Sequence, residues 1–255
     1  RKCAANKKQS CRRKEKGVSD GEVVVNNREI IKMIKKTILT AACATAAVLS
    51  LQAHAEDGKV LRMACESTYA PFVFFDTQTR KPVGFEIDLL EYAAKQMGRK
   101  LEVTNMGFDA IIPAILTGIT DVGASAFTIT PERAKRVLFS KPYYMSGLSI
   151  LVRAEDKDKI KSVKDIENCT ICAQIGTSGS MRAAKVPGAK VRNFNTINEA
   201  YLELNNKGCR AVIGDRPVTA YFLASRPQAA ADYHHLPETL NSEAFGFPVS
   251  KNNKA

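Results

Sequence analysis

From residue 60 onward the apolar positions alternate between two spacings. Val60–Cys65 is a short apolar run that reads as a strand, and 72–76 and 101–105 read the same way. Between them, 84–97 sets Ile87, Leu90, Tyr92, Ala94 and Met97 in the pattern of an amphipathic helix packed on a sheet. A helix over 110–117 with Pro113 in its first turn follows, then a strand over 121–126. A short helix over 131–137 has Thr130 as its N-cap and Glu132 in its first turn. Strands and helices alternate throughout, which argues an α/β fold with largely parallel strands.

After Tyr144-Met145-Ser146-Gly147 the pattern restarts. Strands are predicted over 148–152, 170–174, 190–194, 211–214 and 244–249. Helical stretches are predicted over 163–166, 181–185, 197–207 and 215–224, with Asn195 or Thr196 capping the third. Two α/β lobes joined near 144–147 are the economical organisation, with lobe one at 56–146 plus 243–255 and lobe two at 147–242. The chain has no tandem repeat and no low-complexity tract.

Residues 33–55 differ from this pattern. A methionine, two lysines, an apolar run from Ile38 to Leu51 and then Ala53-His54-Ala55 give the charged, apolar and small-residue order of a secretory signal peptide cleaved after Ala55. The run is short for a membrane span. Cys43 lacks the aliphatic residue three positions before it that a lipidated cysteine would carry. Residues 1–32 stand ahead of this segment and read as an upstream artefact, with translation starting at Met33; the competing reading is an extended n-region. They hold ten Lys/Arg against four Asp/Glu, so much of the net charge of +12 sits outside the lobes. No nucleic-acid partner is expected on that basis.

Export would place the protein in the periplasm, where thiols can oxidise. Cys169-x-x-Cys172 has neither a second such pair nor a histidine pair at ligand spacing, and His234-His235 are adjacent. No metal and no cofactor are expected. Cys169 and Cys209 each precede a predicted lobe-two strand. If those strands are neighbours, a Cys169–Cys209 disulfide is possible; the alternative leaves Cys65, Cys169, Cys172 and Cys209 all free.

Five loops at the carboxyl ends of predicted strands carry the candidate chemistry, and in open α/β sheets those ends line the ligand crevice. They are 66–72, 107–109, 126–133, 174–180 and 214–215. Together they offer one arginine, one aspartate, two aromatics and a Gly/Ser/Thr-rich stretch. A zwitterionic amino acid needs a planar fork for its carboxylate, an anion for its ammonium and flat apolar walls. Each residue also has a plainer role. Arg133 can pair with Glu132 or Asp109 at the surface, Asp215 can cap the next helix, and Tyr69 and Phe108 can be core. IGTSGS lacks the spacing of either nucleotide-binding loop. No Ser/His/Asp arrangement is present.

The stretches STYAPFVFFD, VGFEIDLLEYAAKQMG, FDAIIPAILTGITDVGASAFTITPERAKRVLFSKPYYMSG, IGTSGS, and NFNTINEAYLEL followed by AVIGD resemble the family 3 amino-acid-binding proteins of ABC importers over 60–249. The resemblance implies a two-lobed type II periplasmic-binding fold that closes by a hinge around an inter-lobe ligand cleft. It implies that Arg133 clamps the ligand carboxylate, helped by Thr128 and by backbone N–H groups near Thr177 and Ser178. Asp215 and the Ala126 carbonyl would receive the ammonium, Tyr69 and Phe108 would be the walls, and Glu66 would face the ligand side chain. Gln174 opens the fourth loop and joins the candidate set. The implied function is capture of a free polar or basic L-amino acid by a monomer, with arginine, lysine or histidine favoured over glutamine, for the permease subunits of an ABC importer. The rival is a dehydratase-type enzyme on the same fold, which would need a second cleft carboxylate beside Asp215, and Glu66 is the candidate for it. Family members continue past GFPVSKNN into C-terminal helices, so the chain is expected to be truncated.

Overall fold

The computed structural model describes residues 60–252. The readings of 1–32 and of the signal segment 33–55 lie outside the described residues, as do residues 253–255. The first half of the described chain runs β1 (Val60–Cys65), β2 (Thr68–Tyr69), β3 (Val73–Phe75), β4 (Pro82–Val83), α1 (Phe85–Gln96), β5 (Lys100–Asn105), α2 (Phe108–Leu116), β6 (Val122–Gly123), α3 (Pro131–Ala134), β7 (Leu138–Phe139) and β8 (Tyr144–Ser146). The second half runs β9 (Leu148–Arg153), β10 (Thr170–Gln174), α4 (Ser178–Ala183), β11 (Lys190–Phe194), α5 (Ile197–Asn205), β12 (Ala211–Asp215), α6 (Arg216–Ser225), α7 (Pro227–Ala230), β13 (Tyr233–His235), β14 (Glu243–Phe245) and β15 (Pro248–Val249).

The strands form two five-stranded sheets, β5-β1-β6-β15-β7 and β11-β10-β12-β9-β13. In each sheet the strands joined by helices are parallel: β1 with β5 and β6, and β10 with β11 and β12. The remaining pairings are antiparallel: β15, the last strand of the chain, on β6 and β7, and β9, the first strand of the second sheet, on β12 and β13. The prediction of largely parallel strands therefore holds only for the helix-linked core of each sheet. Such mixing is common where an open sheet is finished by a returning strand.

Chain passage between the sheets is confined to two strands. β8 leaves the first sheet and β14 returns to it, paired antiparallel with Ser146 opposite Glu243 and Tyr144 opposite Phe245. The predicted strand over 244–249 is in fact two strands. Gly246 donates its N–H to the Phe127 carbonyl and Phe247 donates to Ser140 Oγ, so the chain steps off the connecting ribbon before β15 joins the sheet. β13 was not expected from the sequence. Pro113, read as lying in a first turn, is inside α2, which already starts at Phe108.

The apolar faces form a core for each sheet. Leu61, Met63, Ile87, Leu90 and Val122 pack together under α1. Ile150, Ile171, Ala183, Ala211 and Ile213 pack under α4. On the opposite face of the second sheet, α5 buries Ile197, Ala200, Tyr201 and Leu204 against Leu151, Cys172, Cys209 and Val212. This packing corrects the disulfide. The bond joins Cys172 to Cys209, with Cα atoms 6.0 Å apart, and Cys169 is free. β10 and β12 are indeed neighbours, with Ile171 opposite Ala211. Side chains alternate across a strand, however, and it is Cys172 that shares the α5 face with Cys209.

The bond closes a loop of 37 residues. Opening it with Cys209→Ser is expected to cost about 2–4 kcal/mol of stability. Thermal melts with and without reductant measure this, and Cys169→Ser should leave the melt unchanged.

Candidate functional site

The five loops singled out in the sequence converge between the sheets. Tyr69, Phe108, Ser125, Ala126, Thr128, Arg133, Thr177, Ser178 and Asp215 line one narrow, tightly closed pocket. Eight of the ten residues singled out in the sequence are in that lining. The other two, Glu66 and Gln174, are buried and meet each other across the lobes, Gln174 Nε2 donating to Glu66 Oε2 at 3.2 Å and to the Asn195 carbonyl at 3.0 Å. Ser125 ties Glu66 to the pocket wall: it accepts from the Glu66 N–H at 2.8 Å and donates back to the Glu66 carbonyl at 3.0 Å.

Arg133 is presented by α3, a single turn that Thr130 caps by accepting from the Arg133 N–H, as the sequence predicted. It is neither a surface residue nor the partner of Glu132 or Asp109. Its guanidinium is buried, lies 5.5 Å from the Phe108 ring centroid and 5.2 Å from that of Phe127, and the two rings stack on one another. Nη1 donates to the Thr128 carbonyl at 2.8 Å, and Nη2 crosses the cleft to the Gly176 carbonyl at 3.0 Å. Gly176 has φ +74°, and a Cβ there would stand 3.2 Å from Asp109 Cβ, so the close approach of the lobes suits glycine. Arg133 makes no ion pair among the described residues. Burial works against its charge, while Asp215 and Glu243 favour it.

Asp215 ends β12 and stands at the N-cap of α6, yet its side chain makes no cap bond. One carboxylate oxygen accepts from the Tyr69 hydroxyl of the other lobe. The other, Oδ1, is buried without a hydrogen-bond partner among the described residues. Burial, with Glu243 adding to it, pushes this acid up to about 7, against the pull of the Tyr69 hydroxyl and Arg133. Burial likewise raises Glu66, which its hydrogen bonds only partly offset.

Ala126 and Ser125 owe their position to a residue that sequence reasoning missed. Both are in the left-handed region, at φ 52° and 105°, which residues with side chains rarely occupy. The wholly buried carboxylate of Glu86, in the first turn of α1, accepts the N–H groups of both, at 2.8 Å from Ser125 and 3.0 Å from Ala126, together with the Tyr143 hydroxyl. Successive N–H groups turned onto one anion hold such a loop in place. Glu243 was missed too. This buried acid on β14 accepts from Thr128 Oγ1 at 2.7 Å and Ser178 Oγ at 2.8 Å, one hydroxyl from each lobe. Its one sequence signal is that it opens the strand on which the chain returns between lobes.

Known proteins agree with this architecture. The model of the bacterial extracellular solute-binding proteins, family 3, matches residues 61–254. A probable histidine-binding protein of Campylobacter jejuni is 34% identical over 192 residues, which span 75% of this chain and 73% of that protein. The structure of holo ArgBP from T. maritima superimposes with a TM-score of 0.71 at 35% identity, covering 76% of this chain and 83% of that one. An ancestral arginine-binding protein, 37% identical, matches with a TM-score of 0.72 when bound to arginine and 0.69 when bound to glutamine, over 76% of this chain and 86% or 85% of that one. With two lobes, a two-strand connection and this family match, the chain belongs to the bacterial extracellular solute-binding proteins of family 3.

Proposed function

We propose that this protein is a periplasmic receptor that captures a basic L-amino acid unchanged between its lobes and hands it to the permease subunits of an ABC importer. One observation carries the reading. Arg133 and Asp215, opposite in charge and both buried, line the same pocket without pairing with each other, and Asp215 Oδ1 has no partner among the described residues. An α-carboxylate on the guanidinium and an α-ammonium on Oδ1 would satisfy both, and buried polar groups are costly until satisfied. Phe108 and Tyr69 supply the flat walls. The two-strand connection at β8 and β14 is where the lobes would hinge, and Tyr69–Asp215 and Glu66–Gln174 already bridge them without a solute. Segment 33–55 would direct export.

The preference for a basic side chain follows from the charge balance. Four acids, Glu66, Glu86, Asp215 and Glu243, are buried in or against the pocket wall beside one arginine, Arg133. A zwitterion leaves that excess untouched, whereas an added cation offsets part of it. Gln174 Oε1 is a further buried acceptor without a partner among the described residues, which suits a donor-rich guanidinium or ammonium.

A thermal-shift screen of the twenty L-amino acids, followed by calorimetry, tests the reading. Arginine, lysine or histidine should give the largest shift. Absence of any shift refutes the receptor, and a larger shift with glutamine refutes the basic preference. Glu66→Gln should weaken a basic ligand by about tenfold or more, because a charge-assisted bond is lost from a dry site, and glutamine only slightly.

A further inference from the structure

Glu243 is set apart from the pocket. It does not line it, yet it contacts two residues that do, Thr128 and Ser178. Both hydroxyls reach the same carboxylate oxygen, Oε2, and lie 3.2 Å from each other. The second oxygen, Oε1, accepts from Asn241 Nδ2 at 2.8 Å, and Asn241 cannot turn over freely because its Oδ1 accepts from the Leu148 N–H at 2.9 Å. The carboxylate is thus aimed by the ribbon and by the start of β9.

A hydroxyl carries one proton and two lone pairs, while an ionised carboxylate can only accept. With Glu243 taking both protons, Thr128 Oγ1 and Ser178 Oγ have none left for anything else. Their free lone pairs are what they can offer to the pocket. A hydroxyl so oriented repels a carboxylate and accepts from an ammonium. Family resemblance implied Thr128 as a helper of the carboxylate clamp without saying which of its groups would help, and a hydroxyl so oriented leaves that part to the backbone N–H.

We infer that Glu243 is a positioning residue of the solute site: by fixing the hydroxyl protons of Thr128 and Ser178, it makes those two side chains acceptors for the solute's α-ammonium, alongside Asp215. Thr128 belongs to the first lobe and Ser178 to the second, so the acceptor pair is assembled when the lobes meet. The carboxylate of the solute is left to Arg133 and to backbone N–H groups. The inference rests on the receptor reading above, because it assigns a role toward the solute that reading names.

The test separates the ammonium from the rest of the solute. Calorimetry on the full chain compares L-arginine with 5-guanidinopentanoate, which keeps the guanidinium and carboxylate and lacks the α-amino group; weak binding is read by competition. Glu243→Ala is expected to weaken arginine by about tenfold, the scale of a hydrogen-bond set to a charged group, and to leave the des-amino compound within about twofold. Ser178→Ala, which keeps the ribbon acid, should show the same selectivity at a smaller size, so a folding defect in the first variant does not decide the matter. Equal losses for both compounds, or a gain for the des-amino compound with none lost for arginine, overturn the inference. A wild-type chain that binds none of the twenty L-amino acids overturns the receptor reading and this inference together. Wild-type binding with no selective loss overturns this inference alone.

Discussion

Lysine in place of Arg133 is expected to weaken solute binding by about tenfold or more, although the charge is kept. The guanidinium does three things at once. It spans from the Thr128 carbonyl to the Gly176 carbonyl of the other lobe, it lies against the stacked Phe108 and Phe127 rings, and it presents a planar edge to the pocket. An ammonium is a point charge on a flexible stem, so it cannot hold both carbonyls and offer two parallel N–H groups to a carboxylate. The ring contacts also favour the flat, weakly hydrated cation over the compact, strongly hydrated one. Titration calorimetry on Arg133→Lys reads the loss. Affinity unchanged from wild type would remove Arg133 from the carboxylate-binding role and leave its bridge to Gly176 as purely structural. The far-UV spectrum should stay near wild type, because α3 keeps its Thr130 cap, while the melting temperature should fall by a few degrees as the buried bonds to the Thr128 and Gly176 carbonyls weaken.

Local patterns were the legible part of this molecule. The β10 and α5 segments could be read because a short apolar run and a helical apolar spacing are each set within a few residues, and Thr196 caps α5 in a capping box with Glu199 that lies within four positions. The turn that presents Arg133 was legible for a similar reason, since it is encoded by Thr130 and Pro131 beside it, whereas local sequence offered Arg133 a surface pairing and only the family resemblance implied its place in the cleft. Asp215 was placed at the head of α6, but its use could not be decided locally. Its carboxylate serves Tyr69, 146 positions away, instead of the helix it precedes. Glu86 and Glu243 escaped for the same physical reason on a larger scale. Glu86 in α1 reads as one more acid in a first turn, and only the fold brings it under the loop at Ser125 and Ala126. Glu243 meets hydroxyls 115 and 65 positions away. The disulfide failed by one step of strand alternation: the strands were paired correctly in prospect, and the face on which each cysteine points was not available from spacing.

Asn in place of Asp215 should separate affinity from stability, with opposite signs. Wild-type Asp215 is buried, and its acid is pushed up to about 7 from an ordinary value of 3.8. Raising the folded-state value above the unfolded one means that the unfolded chain gives up this proton first. The wild-type fold is therefore least burdened below about pH 4, and it loses stability as pH rises from there through about 7. Asparagine carries no such charge, so at pH 8 the variant is expected to melt higher than wild type, by roughly 5 °C or more for a chain of this size. Binding moves the other way. A solute ammonium meets the ionised acid, so wild-type affinity for arginine should rise about tenfold from pH 6 to pH 8 and then level, with protons released to the buffer on binding below pH 7. Arginine is the right probe because it keeps one charge state at its side chain across that range, which histidine does not. Asp215→Asn should bind arginine about a hundredfold or more weaker at pH 8, the scale for breaking a buried ion pair, and its affinity should be nearly flat between pH 6 and pH 8. Melting curves at pH 5 and pH 8, with calorimetry in two buffers of different ionisation heat, measure all of these quantities. An affinity that stays pH-dependent in the variant would move the titration to another group, with Glu86, which burial raises to about 6, the first to examine. A melting temperature that falls at pH 8 would mean that the Tyr69–Asp215 bond across the lobes stabilises the fold by more than the buried charge costs it.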